Sequence, residues 1–193
     1  MSVILITGLP GVGKTTIVKR LCEDLQKIPI AYDGFYTEEV RDGMGCRSGF
    51  DIMTFDGQRS PLARVGGLGP DTSKMPKVGR YSVFISNFET LALPIFTKSS
   101  STLIIDEIGK MELLSNNFES AIKDFIKKQE DKNNESYLVA TIPSRGQFPV
   151  VEKLKSIKGT KTFIVTKQNR TNIYDTILRA VKNMVSPKPN NKK

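Results

Sequence analysis

Gly8-Leu9-Pro10-Gly11-Val12-Gly13-Lys14-Thr15 stands between an apolar run, Val3-Ile4-Leu5-Ile6, and a helical pattern, Thr16-Ile17-Val18-Lys19-Arg20-Leu21. Its spacing, G-x-x-x-x-G-K-[ST], is that of a phosphate-binding loop, and a buried strand before it with a helix after it is the context such a loop requires. The glycines let successive N–H groups turn toward phosphate oxygens. The helix adds the partial positive charge of its N-terminus. Lys14 is placed to reach the β- and γ-phosphates, and Thr15 offers a hydroxyl to Mg²⁺.

Working outward, 193 residues suffice for one domain with a sizeable core. That domain is expected over residues 1–185, with 186–193 a disordered basic tail rich in Pro, Asn and Lys. Met1 leads straight into a strand, so no leader peptide is expected, and no apolar run approaches transmembrane length. Cys22 and Cys46 have neither metal spacing nor a disulfide framework, which fits a cytoplasmic setting, with the nucleus as the alternative. The chain has no histidine, which removes the commonest general base and zinc ligand. From Glu152 to Lys193 eleven Lys or Arg face two acids, equal to the whole formal excess of +9. These lysines are spread out rather than interleaved with aromatics. They read as a solvated face and tail, with nucleic acid the less favoured reading and a monomer expected.

Downstream of the loop, a helix is expected from about Lys14 to Gln26. Tyr36 to Phe55 reads as a β-hairpin turning at Arg41–Gly45. Residues Gly57 to Gly79, rich in Gly, Pro and Arg, read as an extended loop. Further strands are expected at Tyr81–Ile85, Thr102–Asp106, Tyr137–Thr141 and Thr162–Thr166. Helices are expected at Phe88–Phe96 (capped by Ser86 or Asn87), Asn116–Gln129 (capped by Ser115), Val151–Ser156 and Arg170–Met184. This alternation predicts an α/β domain of three layers, with a mostly parallel sheet and ligands at the carboxyl ends of its strands. The P-loop, Asp106-Glu107, Thr141 and Thr166-Lys167 all fall at such ends.

Leu103-Ile104-Ile105-Asp106 has the pattern of a Walker B strand, whose aspartate holds Mg²⁺ beside the P-loop. Glu107, one step further, is the informative residue: a carboxylate there can align and deprotonate a water against the γ-phosphate. Lys110 is placed either to stabilise transition-state charge or to pair on the surface with Glu112. Arg145 can likewise neutralise charge or simply decorate its loop. Thr166-Lys167-Gln168-Asn169 resembles a guanine-gripping run with Asn169 in place of the aspartate. Lys167 can then stack on a base, while the amide, which both donates and accepts, imposes no demand for guanine. The glutamate also predicts that the Tyr137–Thr141 strand lies between the P-loop strand and the Walker B strand, with Thr141 sensing the γ-phosphate. The hairpin is then expected at one edge of the sheet.

Together these motifs resemble the cancer-related nucleoside triphosphatase family of P-loop proteins. The resemblance rests on Gly8 to Thr16, Gly34-Phe35-Tyr36-Thr37-Glu38-Glu39-Val40, Gly49-Phe50-Asp51, Phe88-Glu89 with Leu93-Pro94, and above all Asp106-Glu107-Ile108-Gly109-Lys110-Met111-Glu112-Leu113. It also includes Thr141-Ile142-Pro143, Val165-Thr166-Lys167 and Asn169-Arg170. It implies a RecA-like domain that slowly hydrolyses several nucleoside triphosphates with Mg²⁺, and carries nucleotide binding onto Gly8–Thr15 and Leu103–Lys110. Three other readings stay open. One is a nucleoside or nucleotide kinase whose acceptor site uses Arg41, Arg47, Arg59, Arg64 and Arg80. The others are a nucleotide switch with little turnover and an ATPase driven by nucleic acid.

Overall fold

The computed structural model of this chain describes residues 2–66, 74–98, 101–131 and 134–186. The tail expected over 186–193 lies outside them beyond Ser186. The chain runs β1 (Val3–Gly8), α1 (Lys14–Leu25), β2 (Tyr32–Arg41), β3 (Arg47–Thr54), β4 (Arg59–Val65), β5 (Lys77–Val78), β6 (Tyr81–Val83) and α2 (Ile85–Ala92). It continues through β7 (Thr102–Ile105), α3 (Asn116–Lys128), β8 (Tyr137–Pro143), α4 (Pro149–Ser156), β9 (Lys161–Val165) and α5 (Ile173–Val185).

The described strands form one mixed sheet in the order β5-β6-β4-β3-β2-β7-β8-β1-β9. β2, β7, β8, β1 and β9 run parallel. β3, β4, β6 and β5 continue antiparallel from β2. As expected, the strand at Tyr137, β8, lies between β1 and β7. Period-2 alternation feeds both faces. Ile4 and Ile6 pack with Ile104, Val139 and residues of α1 and α5. Val3 and Leu5 pack with Leu103, Ile105 and residues of α2, α3 and α4.

Two expectations need correction. The sheet is only half parallel, and the β2–β3 pair is interior rather than at an edge. The reason is β4, in the stretch read as a loop. Its Pro61 has no N–H to give a ladder and masks the strand pattern. The strand tolerates it beside a register shift, where Ala63 pairs with Phe50 and Pro61 with Asp51, while Leu62 between them is buried. The second correction is α2, which starts at Ile85 without a side-chain cap. Neither Ser86 nor Asn87 caps it, because the helix begins before them and both lie in its first turn, while Phe84 N–H donates to the Leu62 carbonyl at 2.9 Å where the chain enters. Pro94 ends this helix as expected and opens a 3₁₀ turn, Pro94–Phe96.

Candidate active site

The loop from β1 to α1 turns through Gly11 and Gly13, whose φ of 73° and 110° lie in the left-handed region that a side chain would strain. α1 then begins at Lys14 with no side-chain cap and no acid in its first turn. Its first N–H groups therefore lack a side-chain partner and are available to an anion. Lys14 is buried and its Nζ donates to the Gly8 carbonyl at 3.1 Å, an oxygen an ammonium can exchange for phosphate.

Opposite stands the end of β7. Asp106 N–H donates to Phe35 O at 3.0 Å and Ile108 N–H to Thr141 O at 2.9 Å, so both flanking strands fix the turn that carries the acids. The Asp106–Glu107 peptide is cis. Asp106 is 1% exposed. Thr141 Oγ1 donates to its Oδ1 at 2.6 Å, while Oδ2 is buried with no hydrogen-bond partner. Burial pushes the Asp106 carboxyl up, and the Thr141 and Thr15 hydroxyls and the Lys14 charge draw it back. Thr141 thus orients the aspartate rather than facing a phosphate as expected. Glu107 is also pushed up by burial, opposed by Lys14.

A third carboxyl was not assigned from sequence. Glu112 is buried, accepts from Gly109 N–H at 3.2 Å, and is pushed up to about 8 by burial first and then by the charge of Glu107. A methyl group on Gly109 would lie 3.1 Å from Glu107 Oε1 and 3.2 Å from Glu112 Oε2, so this glycine lets the two acids share one pocket. Glu112 makes no ion pair with Lys110 among the described residues, because it points inward.

Among the described residues, three hollows that touch the P-loop bear on the site. The largest, about 610 Å³, lies between Lys14, Thr15 and Glu107 on one side and Thr37, Glu38 and Arg47 on the other. The second, about 280 Å³, shares Pro10, Lys14 and Glu107 with the first and is closed by Ser144 and Arg145. The third, about 260 Å³, shares Gly13 and Thr16 with the first and is bounded by Ile17, Arg20, Arg170 and Tyr174. Arg145 makes no ion pair among the described residues. Of the arginines offered for an acceptor site, Arg41 and Arg47 share Glu39, Arg59 and Arg64 share Asp51, and Arg80 donates to the Arg47 carbonyl at 2.8 Å with no ion pair among the described residues.

Not every expected residue is brought in. Leu103, Ile104, Ile105 and Ile108 are buried framework and Gly109 is a spacer. Lys110 and Lys167 are exposed and line none of these three hollows. Asn169 spends its amide on its own loop: Oδ1 accepts from Thr166 N–H at 2.8 Å and Nδ2 donates to Ile164 O at 2.9 Å. Its neighbour Arg170 lines the third hollow together with Gly13 and Thr16. Among the described residues no group of three or more His, Cys, Asp or Glu gathers as a metal cluster. One hydroxyl and one carboxylate can still suffice for a cation whose other ligands are phosphate and water.

The helix start, the buried lysine and the carboxylate pair after β7, one strand removed from β1, are the arrangement of a P-loop nucleoside-triphosphatase. The comparisons agree. A family model described as NTPase matches residues 3–178. The human cancer-related nucleoside-triphosphatase is 40% identical over 92% of this chain and 95% of its own. The nucleoside-triphosphatase THEP1 of Aquifex aeolicus is 40% identical over 91% of this chain and 96% of its own. The solution structure of a human cancer-related nucleoside triphosphatase superposes with a TM-score of 0.77 at 38% identity, covering 97% of this chain and 100% of the other. The crystal structure of the Aquifex aeolicus THEP1 gives a TM-score of 0.76 at 35% identity, over 93% and 99%. The chain belongs to this NTPase family.

Proposed function

We propose that this chain hydrolyses nucleoside triphosphates to diphosphate and phosphate with Mg²⁺, slowly and with little choice among bases, as a cytoplasmic monomer. We read the order β9-β1-β8-β7-β2 as RecA-like, the arrangement that sets a catalytic glutamate beside the P-loop. The observation that carries the reading is Glu107, which with Lys14 lines both hollows at the γ-phosphate end of the loop.

The orphaned, buried Asp106 Oδ2 beside the Thr15 hydroxyl fits a hard divalent cation. Thr15 and Asp106 would hold Mg²⁺, which when bound neutralises phosphate charge. The backbone N–H groups and Lys14 grip the β- and γ-oxygens. Burial raises the basicity of Glu107, so it orients a water and takes its proton as the water attacks phosphorus. Arg145, in the same hollow and without an ion pair among the described residues, supplies positive charge as the phosphoryl group separates. Lys110 and Lys167 have no contact role in this reading, and Asn169 serves by shaping the loop. Four of the five arginines offered for a kinase acceptor site are held by Glu39 and Asp51, which favours hydrolysis over a kinase.

The test is phosphate release from ATP, GTP, CTP and UTP with Mg²⁺, with and without added nucleosides. Release without an acceptor is expected, with specificity constants within about tenfold of one another. A strict acceptor requirement would establish the kinase instead. In single turnover, Glu107→Gln should keep Mg²⁺·NTP binding and lose on the order of 10²–10⁴ in rate. Arg145→Ala should lose on the order of 10² with binding retained. Asp106→Asn should weaken metal-dependent binding as well. Near-parental hydrolysis by Glu107→Gln would remove the main chemical support for this reading.

A further inference from the structure

The triphosphate has a direction in this site. Its γ end belongs with Lys14 and Glu107, next to Gly8–Pro10. The nucleoside must therefore leave the loop at the other end, past Gly13 and Thr16. The 260 Å³ hollow opens there. One wall is the first two turns of α1, ending at Arg20. The other is Arg170, Thr171 and Tyr174, at the start of α5.

The far wall is built rather than incidental. The Arg20 guanidinium lies 3.8 Å from the centre of the Tyr174 ring. Tyr174 is buried, and its hydroxyl donates to Asp24 Oδ2 at 2.6 Å and lies 3.1 Å from Arg20 O, so the ring cannot swing away. A planar guanidinium held on a fixed ring leaves its second face free, and that face stacks on aromatic surfaces. Arg20 forms no ion pair among the described residues that would draw it off the ring. No carboxylate or side-chain amide lines this hollow, so none of its side chains accepts the paired N–H groups of guanine as an aspartate would.

We infer that the hollow between Arg20 and Arg170 is the nucleobase subsite, in which the base stacks on the Arg20–Tyr174 platform. This rests on the hydrolase reading and deepens it. The subsite takes any planar nucleobase, favours larger rings by contact area, and gives nothing to a triphosphate without a base. It assigns the nucleoside contact to Arg20 and Arg170 in place of Lys167 and Asn169.

The experiment compares kcat/KM for ATP, GTP, CTP and UTP with the inhibition constant of inorganic tripolyphosphate, in the parent protein, Arg20→Ala and Arg20→Lys. Arg20→Ala should lower kcat/KM for ATP and GTP about tenfold, and for CTP and UTP by less, while the tripolyphosphate constant stays put. Arg20→Lys keeps the charge but loses the planar face, so it should follow Arg20→Ala. Unchanged tripolyphosphate binding also shows that the variant is folded. Equal losses for the nucleotides and tripolyphosphate would make Arg20 a phosphate or structural residue and overturn the inference. So would unchanged nucleotide kinetics, or full rescue by lysine. Absence of phosphate release by the parent protein would instead sink the hydrolase reading, so the two failures are distinguishable.

Discussion

α1 and α3 both begin beside the carboxylates that follow β7, and their first turns are opposites. α3 opens on Ser115, which accepts from Phe118 N–H at 2.9 Å and donates to Glu89 Oε1 at 2.5 Å. Asn117 donates to Glu89 Oε2, and Glu119 adds an acid in the first turn. α1 opens on Gly13 with no cap and no acid. One helix completes its end with its own side chains, at a gain of about 1 kcal/mol. The other leaves its end without a side-chain partner. α2, α4 and α5 also start without a side-chain cap, so it is the buried Lys14 beside its start that sets α1 apart and supports reading it as an anion site.

The largest way to break this contrast is Lys14→Ala. Turnover should fall at least about 10³-fold with weaker nucleotide binding, because no other P-loop charge meets the β- and γ-oxygens. Phosphate release and nucleotide titration check it, and unchanged release would place the site elsewhere. Thr16→Asp would give α1 an acidic start like that of α3. The free protein should gain a few tenths of a kcal/mol from the helix dipole, by denaturant unfolding. Its affinity for Mg²⁺·NTP should fall about tenfold or more, because the new charge opposes phosphate. Tighter nucleotide binding in that variant would refute the reading of α1 as an anion site.

Glu112 belongs to the approach to α3, since Ser115 N–H donates to its carbonyl at 3.1 Å. Its folded pKa of about 8 exceeds the ordinary carboxylate value of 4.5. Between these the folded state holds a proton that the unfolded chain releases. The contribution to stability is therefore full below about pH 4.5 and is lost as pH rises toward 8. Glu112→Gln, which stays neutral, should flatten the fall of Tm between about pH 5 and pH 8 by several degrees. An identical Tm profile would mean Glu112 is ionised in the fold. The smallest effect is Ser115→Ala, with a loss of about 1 kcal/mol in thermal or denaturant unfolding and unchanged kcat. A large loss of kcat there would show that the two helix starts are coupled.

The sequence by itself determined the residues whose meaning is local. The P-loop is one turn between a strand and a helix, so Gly8 to Thr15 declare it. Asp106 and Glu107 end an apolar strand, and Ser115 sits one residue before its helix. Hydrogen-bond geometry over a few residues settles each of these. Tertiary structure alone decided the rest. β4 is a strand because its neighbours tolerate Pro61, not because its composition favours one. Asn169 is absorbed by its own loop while Arg170 lines the hollow beside Gly13 and Thr16, a difference that turns on the direction of one loop. Glu112 becomes a basic carboxyl because Gly109 admits it beside Glu107, away from water. Tyr174 and Arg20 are 154 residues apart in the chain and meet because α1 and α5 pack on the same face of the sheet. Burial, charge coupling and contact between distant segments depend on what surrounds a residue in space, and a linear order does not contain that.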